Sequence, residues 1–196
     1  MLKLLLIRHG KTYGNTLGRY IGGATDEPLC PEGIRLLQEK QYPEVSRIYV
    51  SPMIRCRQTA GLLYPDREQK QIPLFRECDF GIFENKNYQE LSGEPAYQAW
   101  IDSSGTLPFP EGESMEDFRD RCCRGFEDCV EDAFGHSCSR AAAVVHGGTI
   151  MSIMSRYALP PQDYFCCQIK NGEYYELCLT KKQWEEKRQI CSWKKG

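Results

Sequence analysis

Short apolar runs, each followed by small or polar residues, constrain the fold of this chain more than any other feature. Runs of this kind are typical of strands buried on both faces of a sheet. The four clearest runs lie at 2–7, 47–50, 72–75 and 141–145. Segments of helical character lie between them, at 31–41 and 53–63. The alternation of strand and helix predicts an α/β domain with a largely parallel sheet.

The clearest helix is expected over 115–134. Ser114 and Asp117 form a capping pair at its start, and apolar residues recur at helical spacing along one face. Further along the chain, apolar and polar residues alternate over 173–180 and, more weakly, over 188–193. This alternation predicts a hairpin or two edge strands at the carboxyl end.

We expect residues 1–196 to form one domain. A chain of 196 residues with 41% hydrophobic content can bury one substantial core, and no repeat or linker divides it. The polar segment 85–112 carries aromatic residues and prolines between the better defined elements. We interpret this segment as a helical excursion that covers the functional site.

The overall charge of the chain points to no polyanionic partner. Its 25 Lys and Arg nearly balance its 27 Asp and Glu, so we expect neither nucleic acid nor a membrane surface as a partner. The apolar residues near the amino terminus are too few for a secretion signal, and no later run is long enough to span a bilayer. These patterns predict a cytoplasmic protein.

Eleven cysteines are present, and their odd number favours free thiols over a disulfide framework. No two cysteines have the C-x-x-C spacing that structural zinc sites generally use. Cys122 and Cys129 lie seven residues apart on the predicted long helix, as core residues do. We therefore expect the cysteines to pack as small hydrophobic side chains and to bind no metal.

Two of the three histidines follow predicted buried strands. His9 follows the run at 2–7, and His146 follows the run at 141–145; each precedes glycine. In a parallel α/β sheet, ligands bind beyond the carboxyl ends of the strands, where helix amino termini attract anions. A single histidine after a strand is most often structural, but two in this context are expected to flank one phosphate. His136 has no such context and is interpreted as a surface residue.

Arg55 is the third candidate for anion binding. It follows the strand at 47–50 and lies in the first turn of the helix predicted at 53–63. A guanidinium in this position can donate to two phosphate oxygens at once, and the helix dipole adds to the attraction. Arg57 is expected to be solvated.

A series of motifs runs in order along nearly the whole chain. It comprises R-H-G at 8–10, Asn15, S-P-x-x-R-x-x-Q-T at 51–59, an acidic residue before F-G-x-x-E at 77–84, P-E-G-E-S at 110–114 and V-H-G-G at 145–148. This series resembles the histidine phosphatase superfamily, also called the phosphoglycerate mutase-like proteins. The resemblance implies a three-layer α/β/α sandwich with a largely parallel central sheet.

The resemblance also implies a role for each residue that matches a motif. His9 would be the nucleophile, and Glu77 would be the proton donor. The phosphoryl oxygens would be held by Arg8, Arg55 and His146. Further contacts to phosphate or substrate would come from Asn15, from either glycine of the doublet Gly22 and Gly23, and from Gly147.

The chemistry of these groups predicts a hydrolysis without metal or cofactor. Neutral His9 attacks phosphorus, and water then releases the phosphoryl group. The two arginines and a protonated His146 are expected to stabilise the negative charge of the transition state. Glu77, protonated in its surroundings, gives its proton to the leaving oxygen. The expected partner is a small-molecule phosphomonoester.

Three functions remain open at this point. The short chain most resembles bacterial alpha-ribazole-5'-phosphate phosphatases, which act in cobalamin synthesis, and broad-specificity phosphatases share the same features. A phosphoglycerate mutase is the alternative, although it must shield phosphohistidine from water and this chain looks short for that task. A non-catalytic binding module is least favoured because all the catalytic residues are present. Both monomer and homodimer remain possible.

Overall fold

A six-stranded mixed sheet runs through the centre of the computed structural model, which describes residues 1–196. The strand order is β3-β2-β4-β1-β5-β6. The first four of these strands are mutually parallel, β5 is antiparallel to β1, and β6 is antiparallel to β5. The strands are β1 (Leu2–Arg8), β2 (Arg47–Val50), β3 (Gln69–Gln71), β4 (Arg140–Val145), β5 (Tyr174–Leu179) and β6 (Ser192–Lys195).

Helices cover both faces of this sheet and complete the predicted three-layer sandwich. They are α1 (Tyr13–Thr16), α2 (Pro31–Gln38), α3 (Ile54–Leu63), α4 (Pro95–Asp102), α5 (Met115–Gly135), α6 (Gly147–Tyr157) and α7 (Lys181–Lys187). Three short 3₁₀ turns lie at Pro73–Phe75, Gly81–Phe83 and Tyr164–Cys167. No helix has the combination of length and apolar character needed to cross a bilayer.

The central strand β1 shows why the sheet has a layer on each face. Leu4 and Leu6 belong to the large core beneath α5 and α6, whereas Leu5 and Ile7 belong to the core on the α3 side. Successive strand residues point to opposite faces, so the apolar run buries side chains in both layers. The prediction of a largely parallel α/β sheet is confirmed.

The predicted capping pair starts α5. The Ser114 hydroxyl accepts the backbone N–H of Asp117 at 3.0 Å, and two acidic residues lie in the first turn. Cys122 and Cys129 are fully buried on its inner face, so both pack as core residues. The helix begins where predicted and ends one residue later than expected.

The expectation of a strand at 72–75 is wrong. The strand at this sheet edge is β3, and residues Pro73–Phe75 form a 3₁₀ turn. Proline at 73 has no N–H to give to the sheet, so pairing ends with the bond from Ile72 N–H to the Val50 carbonyl. Phe75 is buried because it packs in the core below α5, which explains the apolar pattern.

The segment 85–112 is helical only over α4, and turns form the rest. Its inner aromatic residues pack on one another: Trp100 stacks on Phe109 with ring centroids 5.1 Å apart. Tyr88 instead is 66% exposed. At the carboxyl end β5 matches the strand predicted at 173–180, whereas β6 begins four residues after the start of the segment predicted at 188–193, and α7 lies between them.

Substitution of Phe126 tests the packing of the larger core. Its ring is fully buried on α5 and packs against Tyr157 and Trp184. We expect Phe126→Ala to lower the free energy of unfolding by about 3–5 kcal/mol, because the cavity adds to the lost burial. Urea denaturation measures the change. The exposed Tyr13→Ala serves as control, and an equal loss in the two variants would contradict this account of the core.

Candidate active site

The carboxyl ends of three parallel strands meet at one edge of the sheet, and each delivers a polar residue there. His9 follows β1, Ser51 follows β2 and His146 follows β4. The register pairs Arg8 with Val145, so the two histidines leave adjacent strands at the same level. Their ring centroids lie 5.2 Å apart in an edge-to-face arrangement. The structure thus brings together the two histidines that strand-end placement singled out.

The backbone around His9 fixes the tautomer of its ring. Nδ1 lies 2.7 Å from the carbonyl of Gly10. A carbonyl only accepts, so Nδ1 carries the proton and Nε2 carries the lone pair. Burial lowers the pKa of His9 well below its ordinary value, and the positive charges of Arg55 and Arg8 act in the same direction. His9 is therefore a neutral imidazole with one free nucleophilic nitrogen.

Two arginines at the site have no carboxylate partner. Arg55 is fully buried and donates only to backbone carbonyls, at 2.9 Å to Thr25 and 3.2 Å to Gly22. Arg8 donates to the carbonyl of Ile169 at 2.7 Å. In both side chains Nε is buried without a hydrogen-bond partner. Buried charges are normally paired, so this arrangement favours an anionic ligand.

His146 is fully buried, and its ring lies between Ser51 and Glu77. Nε2 is 2.7 Å from the Ser51 hydroxyl, and Nδ1 is 3.7 Å from Glu77 Oε2. The Ser51 oxygen also accepts the N–H of Met53, so its own hydrogen is available to Nε2. Donation of that hydrogen to Nε2 would leave the proton of His146 on Nδ1, on the side of Glu77.

The ligand-free protein favours a neutral His146 ring, and protonation of His146 in the transition state stays a prediction. Burial lowers the pKa of His146 well below its ordinary value, with further lowering by Arg55, His9 and Arg8. The neutral ring can still donate one hydrogen bond from Nδ1. A bound phosphate dianion would oppose the field of the arginines and favour protonation.

Glu77 is only 9% exposed, and its burial raises the pKa of the carboxyl. Arg55, the N–H of Cys78 and Arg8 act in the opposite direction without cancelling the effect. The raised pKa favours a protonated carboxyl beside a neutral imidazole, so the contact with His146 is not an ion pair. Glu77 is thus suited to donate a proton, as its motif position implied.

Arg121 holds the backbone that carries Glu77, and sequence reasoning missed it. Its guanidinium pairs with both carboxylate oxygens of Glu113 at 2.6 and 2.7 Å, and Nη2 donates to the Glu77 carbonyl at 3.1 Å. On a helix surface such an arginine is indistinguishable from a solvated charge. Only Glu113, within the P-E-G-E-S motif, offered a signal.

Asn15 lies at the edge of the site and is held in a fixed orientation. Its Oδ1 accepts the N–H of Thr12 at 3.3 Å and the Nδ2 group of Asn171 at 3.2 Å. The amide NH₂ of Asn15 is left as the group that can face a ligand. Asn171 also donates to the carbonyl of His9 at 3.0 Å, so it links His9 to Asn15. Its sequence context, a turn before glycine, gave no sign of this role.

The structure does not support phosphate contact from Gly22 and Gly23. The N–H of Gly22 donates to Glu84 at 2.9 Å, and that of Gly23 donates to the carbonyl of Cys78 at 2.7 Å. A Cβ at Gly22 would lie 2.3 Å from the carbonyl oxygen of Cys78. The doublet is therefore required for close packing behind the site. Gly147, in contrast, lies beside Arg8 at the start of α6.

An open cleft of about 400 Å³ joins these groups. Its walls include Arg8, His9, Asn15, Glu77 and Gly147. The imidazole of His9, the guanidinium of Arg8 and the amino terminus of α6 line it, and His146 packs against His9. This arrangement is expected for a phosphate group. No group of three or more His, Cys, Asp and Glu side chains is placed to hold a metal ion.

Comparison with known proteins places this site in a family. A model of the histidine phosphatase superfamily, branch 1, matches residues 4–191. The chain is 27% identical over 195 residues to the probable phosphoglycerate mutase GpmB of Yersinia enterocolitica. The matched segment covers 94% of this chain and 88% of the relative.

Solved structures show the same fold. An Escherichia coli K-12 protein provisionally assigned as an alpha-ribazole-5'-P phosphatase matches with a TM-score of 0.81 at 25% identity, over 92% of both chains. A phosphoglycerate mutase from Thermus thermophilus matches with a TM-score of 0.71 at 24% identity, over 98% of both chains. These neighbours confirm the phosphoglycerate mutase-like architecture.

Inorganic phosphate is expected to bind here and to raise the melting temperature of the protein, because it pairs with Arg8 and Arg55. Arg55→Lys should weaken phosphate binding by about tenfold or more, since lysine cannot donate to two oxygens in one plane. Titration calorimetry measures the affinity. Arg57→Lys, an exposed position on the same helix, is the matched control. Equal affinity in the two variants would show that Arg55 does not bind the anion.

Proposed function

This chain belongs to branch 1 of the histidine phosphatase superfamily, and on that premise we propose that it is a phosphomonoester hydrolase that forms phosphohistidine on His9. The observation that carries the proposal is the state of the His9 ring. Its Nδ1 proton is held by Gly10, so Nε2 is free to attack. The unpaired arginines Arg8 and Arg55 lie beside it. A neutral nucleophile surrounded by positive charge suits attack on a dianion.

In the first step Nε2 of His9 attacks phosphorus in line while the bond to the ester oxygen breaks. Arg8 and Arg55 stabilise the negative charge of the equatorial oxygens. The Nδ1–H of His146 adds a hydrogen bond on the side nearest Glu77. Glu77 transfers its proton to the departing oxygen, so the alcohol leaves neutral.

In the second step water attacks the phosphoryl group on His9. Glu77 is now a carboxylate and takes a proton from that water, which returns the acid to its starting state. Phosphate leaves and His9 is again a neutral imidazole. The protein supplies every proton and charge required, so the reaction proceeds without metal or cofactor.

Hydrolysis is favoured over mutase activity by the charges at the cleft. A phosphoglycerate mutase must also bind the carboxylate of its substrate. Arg19, which lies at the cleft beyond Arg8, is already paired with Glu90 at 2.8 Å. Arg8 is therefore the only arginine or lysine in the cleft wall without a carboxylate partner, and it is expected to bind the phosphate. Measuring isomerised phosphoglycerate against released phosphate separates the two activities.

Alpha-ribazole 5'-phosphate is the candidate substrate that we propose to test first. Support comes from the Escherichia coli neighbour, which resembles this chain over 92% of its length. Sugar phosphates and phosphoglycerate belong in the same screen. A marked preference for another ester would reassign the substrate without affecting the reaction type.

His9→Ala is expected to lower kcat for p-nitrophenyl phosphate by about four orders of magnitude or more, because the covalent route is lost. Circular dichroism should show an unchanged fold. His136→Ala is the control, since His136 is an exposed histidine outside the cleft. Near-normal turnover by His9→Ala would refute the mechanism.

Chelation by EDTA should leave the hydrolysis rate of the native protein unchanged. A loss of activity in EDTA that Mg²⁺ or Zn²⁺ restores would refute metal independence.

Glu77→Gln separates acid catalysis from phosphate binding. An alkyl phosphate needs a proton on its leaving oxygen and should slow by about 10²–10⁴-fold, whereas p-nitrophenyl phosphate should slow far less. Glu94→Gln, at an exposed carboxylate, is the control. Equal losses on both esters would show that Glu77 is not the acid.

The same assignment predicts the pH dependence of kcat/KM for the alkyl ester. His9 must be neutral, and its lowered pKa keeps the rate high well below neutral pH. Glu77 must be protonated, and its raised pKa extends activity upward before the rate falls. Glu77→Gln should remove that falling limb. A limb that persists in this variant would assign it to another group.

A further inference from the structure

A second cavity of about 150 Å³ adjoins the phosphate cleft. Ten of its 13 lining residues are hydrophobic, whereas the cleft has five of 13. Its walls include Phe80, Trp100, Phe109, Phe118, Met151 and Phe165. The cavity lies between the aromatic segment around α4, the first turns of α5 and α6, and the 3₁₀ turn Tyr164–Cys167.

Glu77 lies at the junction of the two spaces, because it lines both. Phe80, Gly148 and Met151 also line both, so the cleft and the cavity adjoin along this wall. A Cβ at Gly148 would lie 3.2 Å from Glu77 Oε1, which shows how closely the acid approaches α6. The oxygen that receives the proton from Glu77 must lie at this junction. The alcohol attached to that oxygen can then extend into the aromatic cavity.

The walls of the cavity suit a ring better than a polyol. Hydroxyl groups would lose their water without gaining partners from phenylalanine and methionine side chains. An apolar cavity of about 150 Å³ is known to hold one benzene ring. Aromatic walls also favour stacked and edge-to-face contacts with such a ring.

The walls are held in place before any ligand binds. Trp100 stacks on Phe109 at 5.1 Å, and Phe80 meets Phe109 edge-to-face at 4.9 Å. Phe165 meets Tyr164 edge-to-face at 5.1 Å, and the guanidinium of Arg119 lies 3.9 Å above the Tyr164 ring. A preformed pocket costs little ordering on binding.

We infer that this aromatic cavity binds the leaving group, and that the preferred substrates are phosphomonoesters of alcohols that carry an apolar planar ring. The inference rests on the proposed hydrolase function and assigns the substrate class of the same site. It selects against sugar acids and simple polyol phosphates.

Two substrate pairs test the inference on the native protein. Benzyl phosphate is compared with ethyl phosphate, and alpha-ribazole 5'-phosphate with ribose 5-phosphate. In each pair only the first ester carries an aromatic ring. We expect kcat/KM to favour the ring-bearing member of at least one pair by about tenfold or more, from the apolar area buried. The two pairs place the aromatic ring at different distances from phosphorus, so the pair that shows the preference indicates the distance that the cavity accepts. Hydrolysis of all four esters without a ring preference would overturn the inference and leave the hydrolase function intact. If none of the four esters is hydrolysed while p-nitrophenyl phosphate is, the inference fails and the hydrolase function stands. If p-nitrophenyl phosphate is not hydrolysed either, the proposed function itself fails.

A matched pair of variants locates the effect. Phe165 lines the cavity and is 58% exposed, so Phe165→Ala should fold normally. It should lower the benzyl-to-ethyl ratio of kcat/KM by about threefold or more through loss of one wall. Tyr88→Ala removes an equally exposed aromatic ring outside both spaces and should leave the ratio unchanged. Met115→Glu, which adds charge at the cavity and suits the first turn of α5, should also lower the ratio. A ratio unchanged in both cavity variants would overturn the assignment.

Discussion

Two arginine side chains without a carboxylate partner, the fully buried Arg55 and the partly buried Arg8, are the constraint on which the rest of this site depends. Arg55 donates to the backbone of the loop that carries Gly22, and Arg8 donates to the carbonyl of Ile169. An unpaired buried charge is costly, so the fold must stabilise it by many backbone dipoles. A bound anion would pair with both guanidinium groups and offset this unfavourable free energy.

Burial sets the protonation states around these two charges, and the arginines modify them. Burial disfavours the charged form of every titratable group here, and the arginines further oppose a second positive charge. His9 and His146 are therefore neutral, and Glu77, although attracted by the arginines, keeps a raised pKa. A neutral nucleophile and a protonated acid are the two states that cleavage of a phosphomonoester requires.

Strand-end placement and motif order were sufficient to identify the centre of the site. His9 and His146 follow adjacent parallel strands, and the sheet brings any two such residues together. Arg55 was predicted from its place in the first turn of a helix that follows a strand. The family motifs added Arg8 and Glu77, and both line the cleft with His9. The prediction of a strand at 72–75 was wrong because it relied on apolar content, although Pro73 has no N–H for sheet pairing. The buried Phe75 produced the same pattern in a 3₁₀ turn.

Other features depended on contacts that no local pattern encodes. Arg121 and Asn171 act on residues distant in sequence, and both look like ordinary surface residues along the chain. Gly22 and Gly23 matched a motif position, but their N–H groups are used within the fold. The charge on His146 depends on burial and on Arg55, which only the assembled site reveals.

The covalent intermediate on His9 is the central claim, and the stereochemistry at phosphorus tests it most directly. A phosphorothioate monoester made chiral with ¹⁶O and ¹⁸O is hydrolysed in H₂¹⁷O, and the configuration of the released thiophosphate is determined. Two successive in-line displacements, first by His9 and then by water, predict retention. Inversion would show a single direct attack by water and would contradict the account.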